Sequence, residues 1–255
     1  MSRPPHRPGA DSVGADSVGF PWAGRALPRQ PFAGDDGSVD PALAAALAGY
    51  GQGTTALADV VRALAVARVL VPVVAVLGED HPLPTHVRGD LGAVLAIATI
   101  TGPDGRRGLP VFGGTASLAH WDRRARPVPV EGVRAALAAV AEGCDLLLLD
   151  LAGPVPVIVP RPAVWALGQS RSWVPPSADP ELVAALRAVV EPVPDVVALR
   201  LEPLGDAGAR LVLRVTAGLS KAHLSGVVAA VRAAIAEVDL LAERVDAVEL
   251  KILPA

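Results

Sequence analysis

The densest group of side chains that could do chemistry lies in one short stretch, residues 79–90. It contains His81, His86 and Asp90 together with two further carboxylates, and imidazole and carboxylate groups are ligands that zinc and iron accept. The spacing, however, matches no standard ligand pattern, and loops between strands commonly carry such charges. We therefore expect no metal and no other cofactor. These three residues are the candidate ligands if a metal binds.

A second acidic group, formed by Asp35, Asp36 and Asp40, has the charge that a calcium ion requires. It lacks the alternating ligands and the terminal glutamate of a calcium loop. Asp40 is followed by Pro41, and an aspartate followed by proline is typical of a helix N-cap and first helical position. The pattern therefore predicts a turn and a helix cap.

Nucleophilic chemistry has little support in the sequence. The single cysteine, Cys144, lies between a predicted helix and the apolar run 146–149, where we expect a buried, inert thiol. The chain contains no serine nucleophile elbow, no phosphate-binding loop ending in lysine and no dinucleotide fingerprint. We predict no catalytic residues and no cofactor site, so the chain is expected to be non-enzymatic.

Composition argues against nucleic acid and membrane as partners. The net charge is −3, whereas binding to a phosphate backbone requires clustered positive charge. Nearly all basic residues are arginines, with Lys221 and Lys251 the two lysines, and asparagine is absent, as a GC-rich coding sequence would produce. The most apolar run, 69–78, is half the length of the roughly 20 residues that span a bilayer. Since residues 1–9 also lack a signal-peptide core, we expect a cytoplasmic protein.

Periodicity predicts an α/β (α+β) fold. Residues 1–19 contain Gly-Ala-Asp-Ser-Val twice in succession and are expected to form a disordered tail. Residues 20–170 are expected to form a domain with a mixed sheet covered by helices. Its strands are predicted at 68–77, 94–100, 109–112, 145–150 and 155–159, and its helices at 41–49, 56–67, near Ser117, at 130–142 and at 163–169. Pro72 predicts a bulge or an edge position in the first strand.

The proline-rich segment 171–180 is predicted to be a linker to a second, smaller module. In that module, residues 181–255, the pattern predicts the order α-β-β-α-β. The elements are a helix at 181–191, strands at 196–203 and 209–217, a helix at 220–237 and a strand at 246–252.

Three motifs resemble the actinobacterial SseB family, named for enhanced serine sensitivity. They are a Gly-Arg-x-Leu-Pro-x-x-Pro-Phe-Ala-Gly-Asp-Asp-Gly-x-x-Asp-Pro run at 24–41, Leu-Val-Pro-Val-Val-Ala-Val-Leu at 70–77 and Thr-Gly-Pro-Asp-Gly-Arg at 101–106. The proline-containing pattern at 155–167 extends the similarity. The resemblance implies a cytoplasmic accessory protein linked to amino-acid (serine) metabolism, and it implies no catalytic residues.

Two functional hypotheses follow. The first is a regulatory module that binds another protein, and its main support is that no catalytic constellation can be assembled from the sequence. Trp22 and Trp173 lie in irregular proline-rich stretches, where aromatic side chains either anchor interfaces or pin an arm to its own domain. Its candidate contact residues are Trp22, Arg25, Phe32, Asp35, Asp36 and Trp173. The second is an enzyme or small-ligand sensor that uses the 79–90 loop with Arg25 or with the Arg106–Arg107 turn. Trp121 and Trp165 lie in helical segments and are expected in the core.

Overall fold

The structure is a computed structural model, and it describes residues 32–77 and 93–255. The described residues divide between two units of the chain, Met1–Asp36 and Gly37–Ala255. In the first unit the described part is a short turn, in which the Asp35 N–H donates to the Phe32 carbonyl at 3.1 Å. All the helices and strands below belong to the second unit.

The fold is α+β, as predicted, with eight α-helices and three sheets among the described residues. The helices are α1 (Pro41–Gly51), α2 (Leu57–Val66), α3 (Thr115–Trp121), α4 (Gly132–Ala141), α5 (Arg161–Gly168), α6 (Pro180–Val190), α7 (Lys221–Ala236) and α8 (Asp239–Arg244). The strands are β1 (Arg68–Leu77), β2 (Ala93–Ile97), β3 (Ile100–Thr101), β4 (Arg107–Val111), β5 (Arg126–Glu131), β6 (Leu146–Leu149), β7 (Val157–Val159), β8 (Val196–Leu204), β9 (Gly208–Val215) and β10 (Ala247–Pro254).

The predicted cap of α1 is confirmed. The Asp40 carboxylate accepts from the backbone N–H groups of Ala42 and Leu43 at 2.8 and 3.1 Å, and Pro41 fills the first helical position. An aspartate there satisfies two of the N–H groups that a helix leaves without partners at its start. Asp40 therefore stabilises α1.

The first part of the chain builds two sheets around one apolar core. One sheet is antiparallel, in the order β2-β1-β5, and the other has the order β3-β4-β6-β7 with β4 and β6 parallel. A two-way backbone bridge between Leu70 and Phe112, at 2.8 and 2.9 Å, connects β1 to the end of β4. Helices α2, α4 and α5 pack together, and their buried leucine, valine and alanine side chains share a core with β1, β4, β6 and β7.

Pro72 predicts a bulge or an edge position for β1. The edge position is wrong, because β1 is the central strand of its sheet. Pro72 lies opposite Pro127 of β5, and on its other side its carbonyl accepts from Ala98, just beyond the end of β2. The N–H that proline lacks would therefore face the point where β2 ends. A central strand tolerates proline at such a position.

Residues 180–254 form a third sheet with helices on one side. The order is β10-β9-β8, with β9 antiparallel to β8 and parallel to β10. Leucine and valine side chains of β8 and β9 pack with those of α6 and α7 in a second core. The observed order α6-β8-β9-α7-α8-β10 contains the predicted α-β-β-α-β pattern, with α8 in addition.

Candidate functional site

The segment Arg171–Val174 lines two cavities in the unit Gly37–Ala255. It follows α5 directly: Ser170 adopts a left-handed backbone with φ +55°, and the Arg171 N–H donates to the Ala166 carbonyl at 2.8 Å. This turn ends the helix and redirects the chain. The next buried side chain is Trp173.

Trp173 is buried, with 8% of its surface exposed, and it belongs to the first core. Its indole N–H is also buried and has no hydrogen-bond acceptor among the described residues. A buried donor without an acceptor costs roughly 1–3 kcal/mol, and buried tryptophan N–H groups usually have a partner. The Trp173 N–H is therefore a donor that an added carbonyl or carboxylate oxygen would satisfy.

The larger cavity, which we call the Trp173 groove, has a volume of about 430 Å³ and is mainly apolar. Val66, the last residue of α2, is 83% exposed, and Val174, which also lines the groove, is 41% exposed. The charged residues that line the groove, Arg62 and Arg171, are both cationic. The remaining lining residues are Ala58, Val61, Ala65, Val133, Leu167, Ser170, Ser172 and Trp173.

Both groove arginines have acidic neighbours at the surface. Arg62 binds Asp59 one turn earlier on α2 at 2.7 Å, and Arg171 lies 3.8 Å from Glu243. Because all four side chains are largely exposed, these ion pairs are weak. An anionic ligand could therefore compete for either guanidinium group.

The smaller cavity, of about 310 Å³, has polar groups that already satisfy each other. The buried Asp179 carboxylate caps α6 by accepting from Glu181 and Leu182, and it binds Arg244 at 2.9 Å. This hydrogen bond raises the pKa of the Arg244 guanidinium, which also lies 2.9 Å from Glu181. These charges stabilise the start of α6.

Trp165 is on the surface, and the expectation that it lies in the core was wrong. Pro162, Ala163, Val164 and Leu167 form the buried face of α5, and Trp165 projects from another side of the helix, with 47% of its surface exposed. It lines the smaller cavity next to Val174. Trp165 thus extends the apolar surface around the Arg171–Val174 segment. Trp121, by contrast, is partly buried against Phe112, with ring centroids 5.4 Å apart.

A buried polar cluster lies where the parallel strands β4 and β6 end. Asp150, which is 7% exposed and has φ +50°, accepts from the Gly113 N–H at 2.9 Å and from the Ser117 hydroxyl at 2.5 Å. A serine nucleophile needs a base to take its proton, usually a histidine. No histidine is hydrogen-bonded to this pair within residues 32–77 and 93–255. We interpret the cluster as structural, since it fixes the turns after β4 and β6.

The other residues selected from the sequence have these positions. Trp22, Arg25, His81, His86 and Asp90 lie outside the described residues, as does the 79–90 loop of the alternative hypothesis. Phe32, Asp35 and Asp36 lie in or next to the short turn before α1, with Phe32 partly buried and both aspartates exposed. The structure places Trp173 in the groove. The roles proposed for all these residues stay predictions.

The arginines of the β3–β4 turn take part in local contacts. Arg106 binds Asp104 at 2.7 Å, and Arg107 donates to the Thr99 hydroxyl at 3.2 Å. In the part of the chain that the structure describes, no three His, Cys, Asp or Glu side chains lie close enough together to hold a metal ion. Within the same residues, every helix is too short or too polar to span a bilayer.

Sequence reasoning missed four groove residues: Arg62, Val66, Arg171 and Val174. A signal for Val66 was present, because the apolar stripe of α2 consists of Leu57, Val60, Val61 and Leu64 and does not include it. A large apolar residue outside the buried stripe of a helix indicates a contact surface. That Val174 lines the same groove as Val66 depends on the tertiary fold.

Comparison with known proteins supplies the family. The model of the SseB protein N-terminal domain matches residues 41–166, which extend from α1 into α5. No curated protein and no solved structure matches the chain. The matched range contains most of the first core and the α2 wall of the Trp173 groove. The chain therefore belongs to the SseB family through this N-terminal domain.

Proposed function

We propose that the chain is a non-enzymatic accessory protein that binds an apolar segment of a partner protein in the Trp173 groove. The observation that carries the proposal is an apolar groove of about 430 Å³ with an 83% exposed valine at its edge. Exposed apolar surface in a concave site is typical of a protein or ligand contact. A peptide side chain in the groove would cover Val66 and Val174.

The chemistry of the partner segment follows from the polar groups of the groove. Arg62 and Arg171 favour acidic residues beside the apolar one, since charge complementarity selects the partner and its orientation. The Trp173 N–H favours a main-chain carbonyl or a carboxylate. Because this N–H is itself covered, its new bond requires a small adjustment of Ser172–Val174 when the segment binds. We therefore expect a short acidic and apolar peptide motif.

The test is selection of peptides from a random displayed library against the full chain, followed by titration of the enriched peptides. We expect them to contain an apolar residue flanked by Asp or Glu. Val66→Asp should weaken their binding at least about tenfold, because a carboxylate would occupy the apolar edge and repel acidic flanks. The matched control is Val197→Asp on β8, which makes the same change at a 57% exposed valine outside the groove.

Two results would count against the proposal. One is a selection that enriches no common motif. The other is a motif that binds the Val66→Asp and Val197→Asp variants equally well, because binding would then take place elsewhere on the chain.

A further inference from the structure

The outer edge of β10 carries backbone groups with no strand partner among the described residues, since β10 pairs with β9 alone. The Ala255 N–H donates to the Val215 carbonyl, and Pro254 is in register with Val215. Alternation along the strand therefore directs odd-numbered residues towards β9. The N–H and carbonyl groups of Val248, Leu250 and Ile252 face the open edge.

The side chains of this strand also divide between two environments. Leu250 and Ile252 pack into the second core, whereas Glu249 binds Arg210 on the opposite face of the sheet at 3.1 Å. Val248 and Leu253 remain 44% and 38% exposed. An edge with free backbone groups and exposed apolar side chains is a template for another strand.

The two charges on the edge are complementary when the strand meets an antiparallel copy of itself. With the twofold axis at Leu250, Glu249 of one chain lies opposite Lys251 of the other, and Val248 lies opposite Ile252. Residues 248, 250 and 252 then form the hydrogen-bonded pairs, which is the alternation that β10 requires. Shifting the two strands by two residues puts Glu249 opposite Glu249 or Lys251 opposite Lys251, and like charges directly opposite destabilise a sheet.

Edge charges often serve to prevent strand addition. Here the two charges have opposite signs and lie two residues apart. They therefore favour the register centred on Leu250 and disfavour the registers shifted by two residues. Arg210 on β9 strengthens this preference, because Glu249 would then lie between two cations. We infer that the chain forms a homodimer in which two β10 strands pair antiparallel about Leu250 and join the β10-β9-β8 sheets into one six-stranded sheet.

The inference is independent of the Trp173 groove, and analytical ultracentrifugation of the full chain at increasing concentration tests it. We expect a monomer–dimer equilibrium for the wild type. Lys251→Glu should abolish the dimer, because Glu249 of each chain would then lie opposite a second glutamate in the other chain. Lys221→Glu, an equal charge change at the start of α7, should leave the dimer intact.

Val248→Pro tests the backbone pairing with little risk to the fold, because Val248 is 44% exposed. Its lost N–H faces the open edge, so the β9–β10 bonds remain, and we expect a folded monomer. The double variant Glu249→Lys/Lys251→Glu restores opposite charges across the axis and should dimerise more strongly than Lys251→Glu alone. A wild type that stays monomeric, or a Val248→Pro variant that still dimerises, would overturn the inference.

A cross-link tests the register. Leu250→Cys places two thiols opposite each other at the axis, so oxidation should give a disulfide-linked dimer on a non-reducing gel. Val248→Cys faces Ile252 of the second copy and should form far less of it. The native Cys144 is buried, so it should not interfere. More cross-linking through residue 248 than through residue 250 would contradict the Leu250-centred register.

Discussion

Arg161 on α5 binds Asp246 at the start of β10, with 3.2 Å between Nε and Oδ1. The same guanidinium donates through Nη2 to the carbonyls of Ala242 and Val245, at 2.9 and 3.0 Å, near the end of α8. Carbonyls at the end of a helix lack intrahelical partners, and an arginine is a suitable donor for them. Arg161, a side chain of the SseB N-terminal domain, thus contacts both the end of α8 and the start of β10, a strand of the third sheet.

Arg161→Ala should lower the free energy of unfolding by about 1–3 kcal/mol, since it leaves a partly buried carboxylate and two carbonyls without this donor. Urea denaturation measures the change. Arg187→Ala is the control, because Arg187 is half exposed and its distance to Glu191 is 3.8 Å, so its loss should cost about 0.5 kcal/mol or less. Equal effects of the two substitutions would contradict the role assigned to Arg161.

Asp150 should be replaceable by Asn at much lower cost than by Ala. Asn keeps an oxygen acceptor for the Gly113 N–H and tolerates the left-handed backbone, whereas Ala does neither well. We expect Asp150→Ala to destabilise the fold by about 1–3 kcal/mol and Asp150→Asn by less. Thermal unfolding of the two variants compares them, and a similar loss in both would mean that the acceptor is unimportant.

Tyr50 allows a clean titration because it is the single tyrosine of the chain. Burial raises the pKa of its phenol, and the nearby Asp206 carboxylate, 3.5 Å from the hydroxyl, raises it further. Ultraviolet absorbance should therefore show ionisation above the ordinary value of 10.0. Asp206→Asn should lower this pKa part of the way, because the effect of burial remains.

The sign of the stability change follows from the raised pKa. The unfolded chain loses the phenol proton first as the pH rises past 10.0, so the contribution of Tyr50 to stability is complete below that pH and is lost above it. A Tyr50 pKa that does not change in Asp206→Asn would contradict the contact with Asp206.

Cys144 should react slowly with thiol reagents in the folded protein. Burial raises the pKa of its thiol above the ordinary 9.0, so little reactive thiolate forms at pH 8, and the side chain is also covered. Labelling in urea should be fast at the same pH. Rapid stoichiometric labelling without denaturant would instead indicate an activated thiol and would reopen the question of nucleophilic chemistry.

Much of the fold could be predicted from local patterns. The continuous β-branched run at 68–77 forms β1 with the predicted bounds, and Asp40-Pro41 caps α1 as expected. Strand β5 was missed because its sequence contains Pro127 and Pro129. The two prolines are two residues apart, so their nitrogens face the same side of β5. That side is the outer edge of the sheet, where a missing N–H disrupts no pairing with β1.

The candidate site was less predictable because it depends on side chains from separate elements. Trp173 was selected from its irregular surroundings, and it does line the groove, but it is buried. The proline-rich sequence of residues 171–180 predicts a linker. In the structure, however, Trp173, Pro176 and Asp179 of this segment are buried. Arg62 and Val66, which line the groove together with Trp173, lie more than a hundred residues earlier, and single-sequence patterns do not reveal such a shared site. The division of the chain at 171–180 stays a prediction.

The most direct test of the Trp173 groove is the indole N–H spectrum of the ¹⁵N-labelled chain during titration with a selected acidic and apolar peptide. The Trp173 signal is assigned as the one that disappears in Trp173→Phe. We predict that it shifts downfield as it gains an acceptor, that the Trp165 signal also moves, and that the Trp121 signal beside Phe112 stays in place. Saturable peptide binding that leaves both the Trp173 and the Trp165 signals unchanged would contradict the account.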